Sequence, residues 1–313
     1  MIAVSALTKR YGKRIAVDGV TFDVAAGRVT GFVGPNGAGK STTMRAMVGQ
    51  TRPDHGEVRY HGIRYVDLKH PTRVVGSVLD PRCMHPGRTA RNHLRATAAV
   101  SGIPAARADE VLAKVGLETA ADRRAGGFSL GMRQRLALAG ALLGAPQVLL
   151  LDEPSNGLDP DGIRWLRSYL RDFADRGGTV FVSSHLIGEL AMFTDDLIVL
   201  GGGRLLAAEP VKAIMARGER TVVVETPRTG ELVRLLAAHN LAVDSDGDRL
   251  LVRGTTKAAV SQVAFDHQIQ VIEITETAKS LEDALLEMTR GSVEFPPDPA
   301  DSPTPPLTTG AHR

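Results

Sequence analysis

The chain has 313 residues, 43% of them hydrophobic, enough for one large domain and one small one with separate cores. Lysine and arginine number 38 against 35 for aspartate and glutamate, and a net charge of +3 leaves no electrostatic footprint for a nucleic-acid binder. The one cysteine, Cys83, excludes an internal disulfide and suits a reducing compartment.

The opening residues Met1 to Arg10 lack the charged start and long apolar stretch of a secretory leader. No run reaches the roughly 18 apolar residues that a membrane-spanning helix needs. The nearest, Leu136 to Leu151, is cut by Gly144, Pro146 and Gln147. Any link to a membrane is therefore expected to pass through another protein.

In chain order, Arg28 to Val33 reads as a buried strand, followed by the Gly-rich turn Gly34 to Gly39 and a helix from Lys40 through Met44 and Met47. Between about Thr89 and Leu117 the apolar residues take helical spacing (Leu94, Ala98, Val111, Leu112, Val115), and a further helix is expected from Gly131 to Leu143. Gln147 to Leu151 and Thr179 to Ser183 are short apolar runs that fit interior strands of a parallel sheet, with a helix Gly162 to Ala174 between them. Strands alternating with helices argue an α/β domain with a helical insertion before Gln147.

After Gly218 the texture changes. Thr221 to Glu225 reads as strand, Gly230 to His239 as helix, and Leu241 to Asp244 with Arg249 to Arg253 as a hairpin. Lys257 to Asp266 reads as helix, Gln270 to Ile274 as strand and Leu281 to Met288 as a closing helix. This β-α-β-β-α-β order is compatible with a small ferredoxin-like module. From Phe295 onward six prolines sit among Ser, Thr and Asp, a composition that cannot bury enough apolar surface to fold.

The sharpest local signal is Gly34-Pro35-Asn36-Gly37-Ala38-Gly39-Lys40-Ser41, the spacing G-x-x-x-x-G-K-[ST] placed after a strand and before a helix. Glycines let backbone N–H groups converge on phosphate oxygens, and the helix that follows points its positive end at the same place. Lys40 adds a full charge for the β- and γ-phosphates, and the Ser41 hydroxyl suits Mg²⁺. On its own the motif indicates a nucleoside triphosphate and nothing finer.

Val148-Leu149-Leu150-Leu151-Asp152-Glu153 supplies a second part: an apolar strand that delivers two adjacent carboxylates at its C-terminal edge. Asp152 is placed to hold the Mg²⁺ shell, and Glu153 to orient and polarise an attacking water.

From Ala3 to Pro210 these residues resemble the ATP-binding cassette (ABC) family. The discriminating piece is Phe128-Ser129-Leu130-Gly131-Met132-Arg133-Gln134-Arg135, similar to the family's signature, whose usual form is L-S-G-G-Q; Leu130 stands where glycine is commoner. The resemblance implies a P-loop NTPase cassette fold that binds ATP and Mg²⁺. It assigns Gly34, Pro35, Asn36, Gly37, Ala38, Gly39, Lys40, Ser41 and Thr42 to the nucleotide, with Tyr11 stacked on adenine. Ser129 and Gly131 then close over the γ-phosphate bound by a second copy of the chain. Asp159, in Ser155-Asn156-Gly157-Leu158-Asp159, lies at the dimer seam, and His185 after the strand Thr179 to Ser183 is the switch histidine. Metal ligands are Ser41, Asp152 and, by alignment of Val75 to Leu79, Asp80, where the family has glutamine. A carboxylate there is a harder ligand for Mg²⁺ but repels phosphate when no metal is present. Some peptide-antibiotic export cassettes carry an acid at that place.

The expectation is therefore a nucleotide-binding domain over residues 1–218, with a helical subdomain at about 83–145, an accessory domain at 219–290 and a disordered tail at 291–313. The chain is expected to pair as a homodimer through its nucleotide sites. It is expected to drive a separate membrane permease from the inner face of the cell membrane, exporting drugs, antibiotics or other hydrophobic compounds. The alternative is a non-transport ABC ATPase of DNA repair, chromosome organisation or translation. Against it stand the absence of sustained heptads between Ser41 and Ser129, the near-balanced charge and the single phosphate loop. Trp165 and Cys83 carry no assigned chemistry, and Leu281, Leu285 and Met288 recur at the spacing of a packed helix.

Overall fold

A computed structural model describes residues 2–289 except 81–83, 185–187, 189, 191, 217–220, 248 and 278–280. Cys83, His185 and the tail 291–313 lie outside the described residues. In chain order the first elements are β1 (Ile2–Tyr11), β2 (Arg14–Val24), β3 (Val29–Val33), α1 (Lys40–Met47), β4 (His55–Tyr60), β5 (Ile63–Arg64), α2 (Pro71–Val74) and β6 (Val75–Val78). Helices α3 (Ala90–Val100), α4 (Arg107–Lys114) and α5 (Leu130–Leu142) follow, then β7 (Val148–Leu151), α6 (Pro160–Asp175), β8 (Thr179–Ser183), β9 (Asp196–Gly201), β10 (Arg204–Pro210) and α7 (Val211–Ala216). The remainder is β11 (Thr221–Glu225), α8 (Thr229–Ala238), β12 (Ala242–Asp246), β13 (Arg249–Arg253), α9 (Lys257–Asp266), β14 (Glu273–Thr277) and α10 (Leu281–Thr289).

The central sheet has the order β10-β9-β3-β8-β7-β6, parallel from β9 to β6 with β10 antiparallel at one edge. β3, β7 and β8 are buried at every residue, as strands covered on both faces must be. Alternate residues serve the two faces. Val33, Leu149 and Val182 join one core with α3 to α6, while Phe32, Leu150 and Phe181 join another with α1 and the antiparallel sheet β2-β1-β4-β5. Both layers are thus locked to a sheet whose C-terminal edge carries β3's Gly-rich loop and β7's carboxylates, with the end of β8 between them.

The antiparallel sheet carries no clean period-2 signal. β1 changes register between Val4 and Leu7 and again between Leu7 and Lys9, with Ala6 at φ 47°, so its buried residues do not alternate. β14 begins three residues later than the apolar run suggests: Ile272 is 62% exposed, and pairing with β11 starts at Glu273. The C-terminal sheet, order β12-β13-β11-β14, is antiparallel throughout and closes over a core of its own with α8 and α9. α10 leaves that core and packs in the large domain beside α7 and β9.

Phe181 is fully buried, with its ring 4.8 Å from Phe32 and 5.8 Å from Phe22. Phe181→Ala should cost about 3–5 kcal/mol, read as a lower midpoint in urea denaturation; a loss under about 1 kcal/mol would deny this cluster its role in joining the two layers.

Candidate functional site

The loop between β3 and α1 depends on glycine at two points. Gly34 has φ 153° and a Cβ there would stand 2.3 Å from the Leu200 carbonyl; Gly39 has φ 99° and its Cβ would stand 2.4 Å from the Ala16 carbonyl. With both positions open, the chain turns tightly enough to start α1 at Lys40. No side chain caps α1 and its first turn holds no acid, so the positive end of the helix faces the cleft.

Lys40 is only 8% exposed. Its Nζ donates to the carbonyls of Gly34 at 2.5 Å and Pro35 at 3.3 Å, both in its own loop. Burial lowers its pKa from the ordinary lysine value, and the charges of Glu153 and Asp152 offset part of that effect. The lysine is therefore held as a charge in need of partners.

Across the cleft, β7 ends in the acidic pair. The Asp152 backbone N–H donates to the Val78 carbonyl at 2.8 Å, extending the pairing with β6. Ser183, at the end of β8, ties the pair together: its Oγ donates to Asp152 Oδ1 at 2.5 Å and accepts from the Glu153 N–H at 2.9 Å. Glu153 has φ 50°, the left-handed region that non-glycine residues rarely occupy.

These residues line one cleft of about 810 Å³. Every loop position from Pro35 to Thr42 is on its wall, with Tyr11, Asp80, Asp152 and Glu153. Gly34 contributes the carbonyl that holds Lys40. Tyr11 is half exposed, with Lys9 Nζ 5.5 Å from its ring centroid. Arg14, Arg45, Leu130 and Asn156 also line the cleft and were not expected from sequence; nor was Ser183. The signal for Ser183 is positional: it ends the strand next to β7.

Besides Gly34, three expected residues among those described are not on that wall. Ser129 is exposed and caps α5, accepting from the Met132 N–H at 3.2 Å. Gly131 follows it in the first turn of α5 and packs against the Gly157 carbonyl. Asp159 caps α6 by accepting from the Gly162 N–H at 2.8 Å. A second groove of about 320 Å³ shares Arg45, Leu79 and Asp80 with the first and continues between the layers along Tyr65, Met84, His93 and Ile103.

A family model described as ABC transporter matches residues 17–156, which contain the loop, the signature-like helix start and the carboxylate pair, and a domain of unknown function matches residues 220–282. The chain is 34% identical over 299 residues to the bacitracin transport ATP-binding protein BcrA of Bacillus licheniformis, covering 93% of this chain and 98% of that protein. It is 33% identical over 206 residues to the lantibiotic transport ATP-binding protein SrtF of Streptococcus pyogenes, covering 66% of this chain and 89% of the relative. Among solved structures, a dimeric ATP-binding cassette in a post-hydrolysis state bound to ADP and Pi matches with TM-score 0.62 and 26% identity, over 67% of this chain and 99% of that one. With a relative matched along nearly its whole length and the phosphate loop and paired carboxylates sharing one cleft, the chain belongs to the ABC transporter family, as an ATP-binding subunit that hydrolyses ATP.

Proposed function

We propose that this subunit works as a homodimer on a separate membrane permease and powers the export of peptide antibiotics or other hydrophobic compounds. The observation that carries the dimer is the division of the site. The loop, Tyr11 and the carboxylates share one cleft, whereas Ser129 and Gly131 stand outside it on exposed or half-exposed surface. A second copy offering its own α5 terminus completes the enclosure. Asp159, capping α6 at the end of the adjoining loop, is assigned to the seam. The relatives named for bacitracin and lantibiotic transport support the choice of cargo.

The residues present fit Mg²⁺. Among the described residues no cluster of three or more His, Cys, Asp or Glu could hold a metal by itself. Mg²⁺ on a triphosphate asks for less, one or two protein oxygens besides the phosphates, and Ser41, Asp152 and Asp80 line the cleft. When bound, the ion neutralises charge on the β- and γ-phosphates. Lys40 exchanges the Gly34 and Pro35 carbonyls for phosphate oxygens, a change that returns a depressed ammonium to a favourable field. The N–H groups of Gly37, Gly39 and Lys40 donate to the same oxygens, while that of Ala38 holds the loop by donating to the Pro35 carbonyl at 3.1 Å. Glu153, its backbone held by Ser183, takes the proton of the attacking water, and His185 is assigned to the γ-phosphate.

The groove continuing from Asp80 between the layers is where the permease docks. Its walls belong to both layers, so any shift between them reaches the partner. Among the described residues no helix is long and apolar enough to cross a membrane; the subunit is assigned to the inner face of the membrane through its permease. In the C-terminal unit, the strand order in space, fourth-first-third-second, supports the ferredoxin-like reading of the accessory domain 219–290, except that its closing helix α10 packs on the cassette. The cassette is assigned to 1–218, with its helical subdomain at about 83–145.

Three experiments test this reading. Glu153→Gln should slow hydrolysis by about 10²-fold or more and trap an ATP-loaded dimer on size exclusion; a variant that stays monomeric in excess MgATP would exclude the shared site. Burial makes Lys40 of the free protein lose its proton below the ordinary lysine pKa of about 10.4, whereas phosphate favours the charged form. Affinity for ATP therefore falls as pH rises through that depressed pKa, and in this window binding takes up to about one proton from the buffer. Calorimetry in buffers of different ionisation enthalpy reads that uptake, which Lys40→Arg should abolish; a wild type that binds ATP without it would contradict the assignment. Asp80→Gln should keep ATP binding but change the ATPase response to the permease, and unchanged transport with unchanged ATPase would remove Asp80 from the coupling path.

A further inference from the structure

Helix α10 comes last in the described chain, beyond the small C-terminal sheet, yet it belongs to the large domain. Leu281, Ala284 and Leu285 are buried in the same cluster as Leu190, Leu197 and Ile214. The first turn of α10 brings Glu282 to Gly188, whose backbone N–H donates to Glu282 Oε1 at 3.0 Å. A Cβ at position 188 would stand 2.6 Å from that same oxygen, so a side chain there would push the Glu282 carboxylate off this contact. A carboxylate that accepts a backbone N–H makes a charge-assisted bond, stronger than its neutral counterpart.

Gly188 lies on the connection that leaves β8 after Ser183. At its start, Ser183 holds Asp152 and the Glu153 backbone. Farther along, Gly188 is held by Glu282, and Leu190 just beyond is buried in the cluster that contains α10. Among the described residues of the connection from β8 to β9, Ser183 is thus held in the hydrolytic cleft, and Gly188 and Leu190 are held by the C-terminal part of the chain. His185, the expected switch histidine, falls between the two anchors in sequence.

We propose that Glu282 is a positioning residue for ATP hydrolysis, through which the C-terminal part of the chain sets the rate of turnover. It touches neither nucleotide nor reacting water; it acts through Gly188 on the connection that begins at Ser183. The inference rests on the cleft being the hydrolytic site. Displacement of α10 by a partner of the C-terminal domain would release the Gly188 N–H and lower kcat without weakening ATP binding.

The test compares Glu282→Ala, Glu282→Gln and Gly188→Ala in the full chain, reading kcat and KM for MgATP, thermal midpoint and hydrogen exchange at the Gly188 amide. Glu282 is exposed, so its loss should leave the midpoint almost unchanged. Loss of the contact should lower kcat by about fivefold with KM within about twofold, and Gly188 should exchange faster. Glu282→Gln keeps an acceptor oxygen and should retain most of the activity. Gly188→Ala should reproduce the defect, and the double variant Glu282→Ala/Gly188→Ala should be no worse than either single one. Wild-type kcat in Glu282→Ala, or defects that multiply in the double variant, would overturn the inference. A wild-type chain without ATPase activity would instead overturn the hydrolytic reading beneath it.

Discussion

The Ser183 hydroxyl lies where two neighbouring parallel strands end, and the chemistry of the cleft depends on what it holds. It is fully buried, donates a hydrogen bond to Asp152 and accepts one from the Glu153 N–H. One oxygen thereby sets the carboxylate of one residue and the backbone of the next. Glu153 at φ 50° is in a conformation that costs of the order of 1–3 kcal/mol and persists only where its surroundings over-determine it. The Ser183 bond supplies part of that determination; the Asp152 N–H paired with Val78 and the Glu153 carbonyl accepting from the Asn156 N–H at 3.2 Å add to it. The consequence is a divergence of roles. Asp152, tied through its side chain, is suited to holding a cation shell, whereas Glu153, tied to Ser183 through its backbone, lines the cleft beside it.

The opposite wall is organised by a charge held short of its preferred partner. Lys40 sits in a loop that offers it two carbonyls, with the carboxylates of Asp152 and Glu153 contributing to its field. A triphosphate replaces these with full negative charges while the uncapped α1 amides turn toward the same oxygens. The cleft is thus pre-arranged for phosphate. The gain is electrostatic and local, which explains why a nearly neutral chain needs no wider basic surface.

Those parts of the site that obey local rules were legible in the amino-acid order. The Gly34 to Ser41 spacing works only between a strand and a helix, and the run Val148 to Leu151 is uniformly apolar because β7 is covered on both faces. The helix Leu130 to Leu142 and the elements from Thr221 to Asp266 follow patterns within a residue or two of their bounds, while the single helical stretch read from Thr89 to Leu117 divides into α3 and α4. What escaped was set by pairing. β1 hides its alternation behind register changes, and β14 is fixed by β11 rather than by the apolar run that precedes it. Arg14 and Arg45 reach the cleft because the antiparallel layer and α1 converge there, and Ser183 because β8 lies beside β7. No spacing in the chain announces such neighbours, since each is joined to its partner through the fold and not through the sequence.

The departure at Leu130 also acquires a physical account. Gly157 has φ 77°, and a Cβ there would stand 2.2 Å from Leu130 Cδ2. The leucine of the helix start therefore occupies the space that the glycine of the facing loop leaves open. Gly131 beside it approaches the Gly157 carbonyl so closely that its own Cβ would come within 3.0 Å. The start of α5 and the loop that ends in Asp159 are consequently one packed unit, joined by a bulky residue on one side and the lack of a side chain on the other. A glycine at position 130 would free the α5 amides from that contact and let the two segments move apart. Leucine couples them instead, so the surface that Ser129 and Gly131 present is oriented by the same loop that carries Asp159.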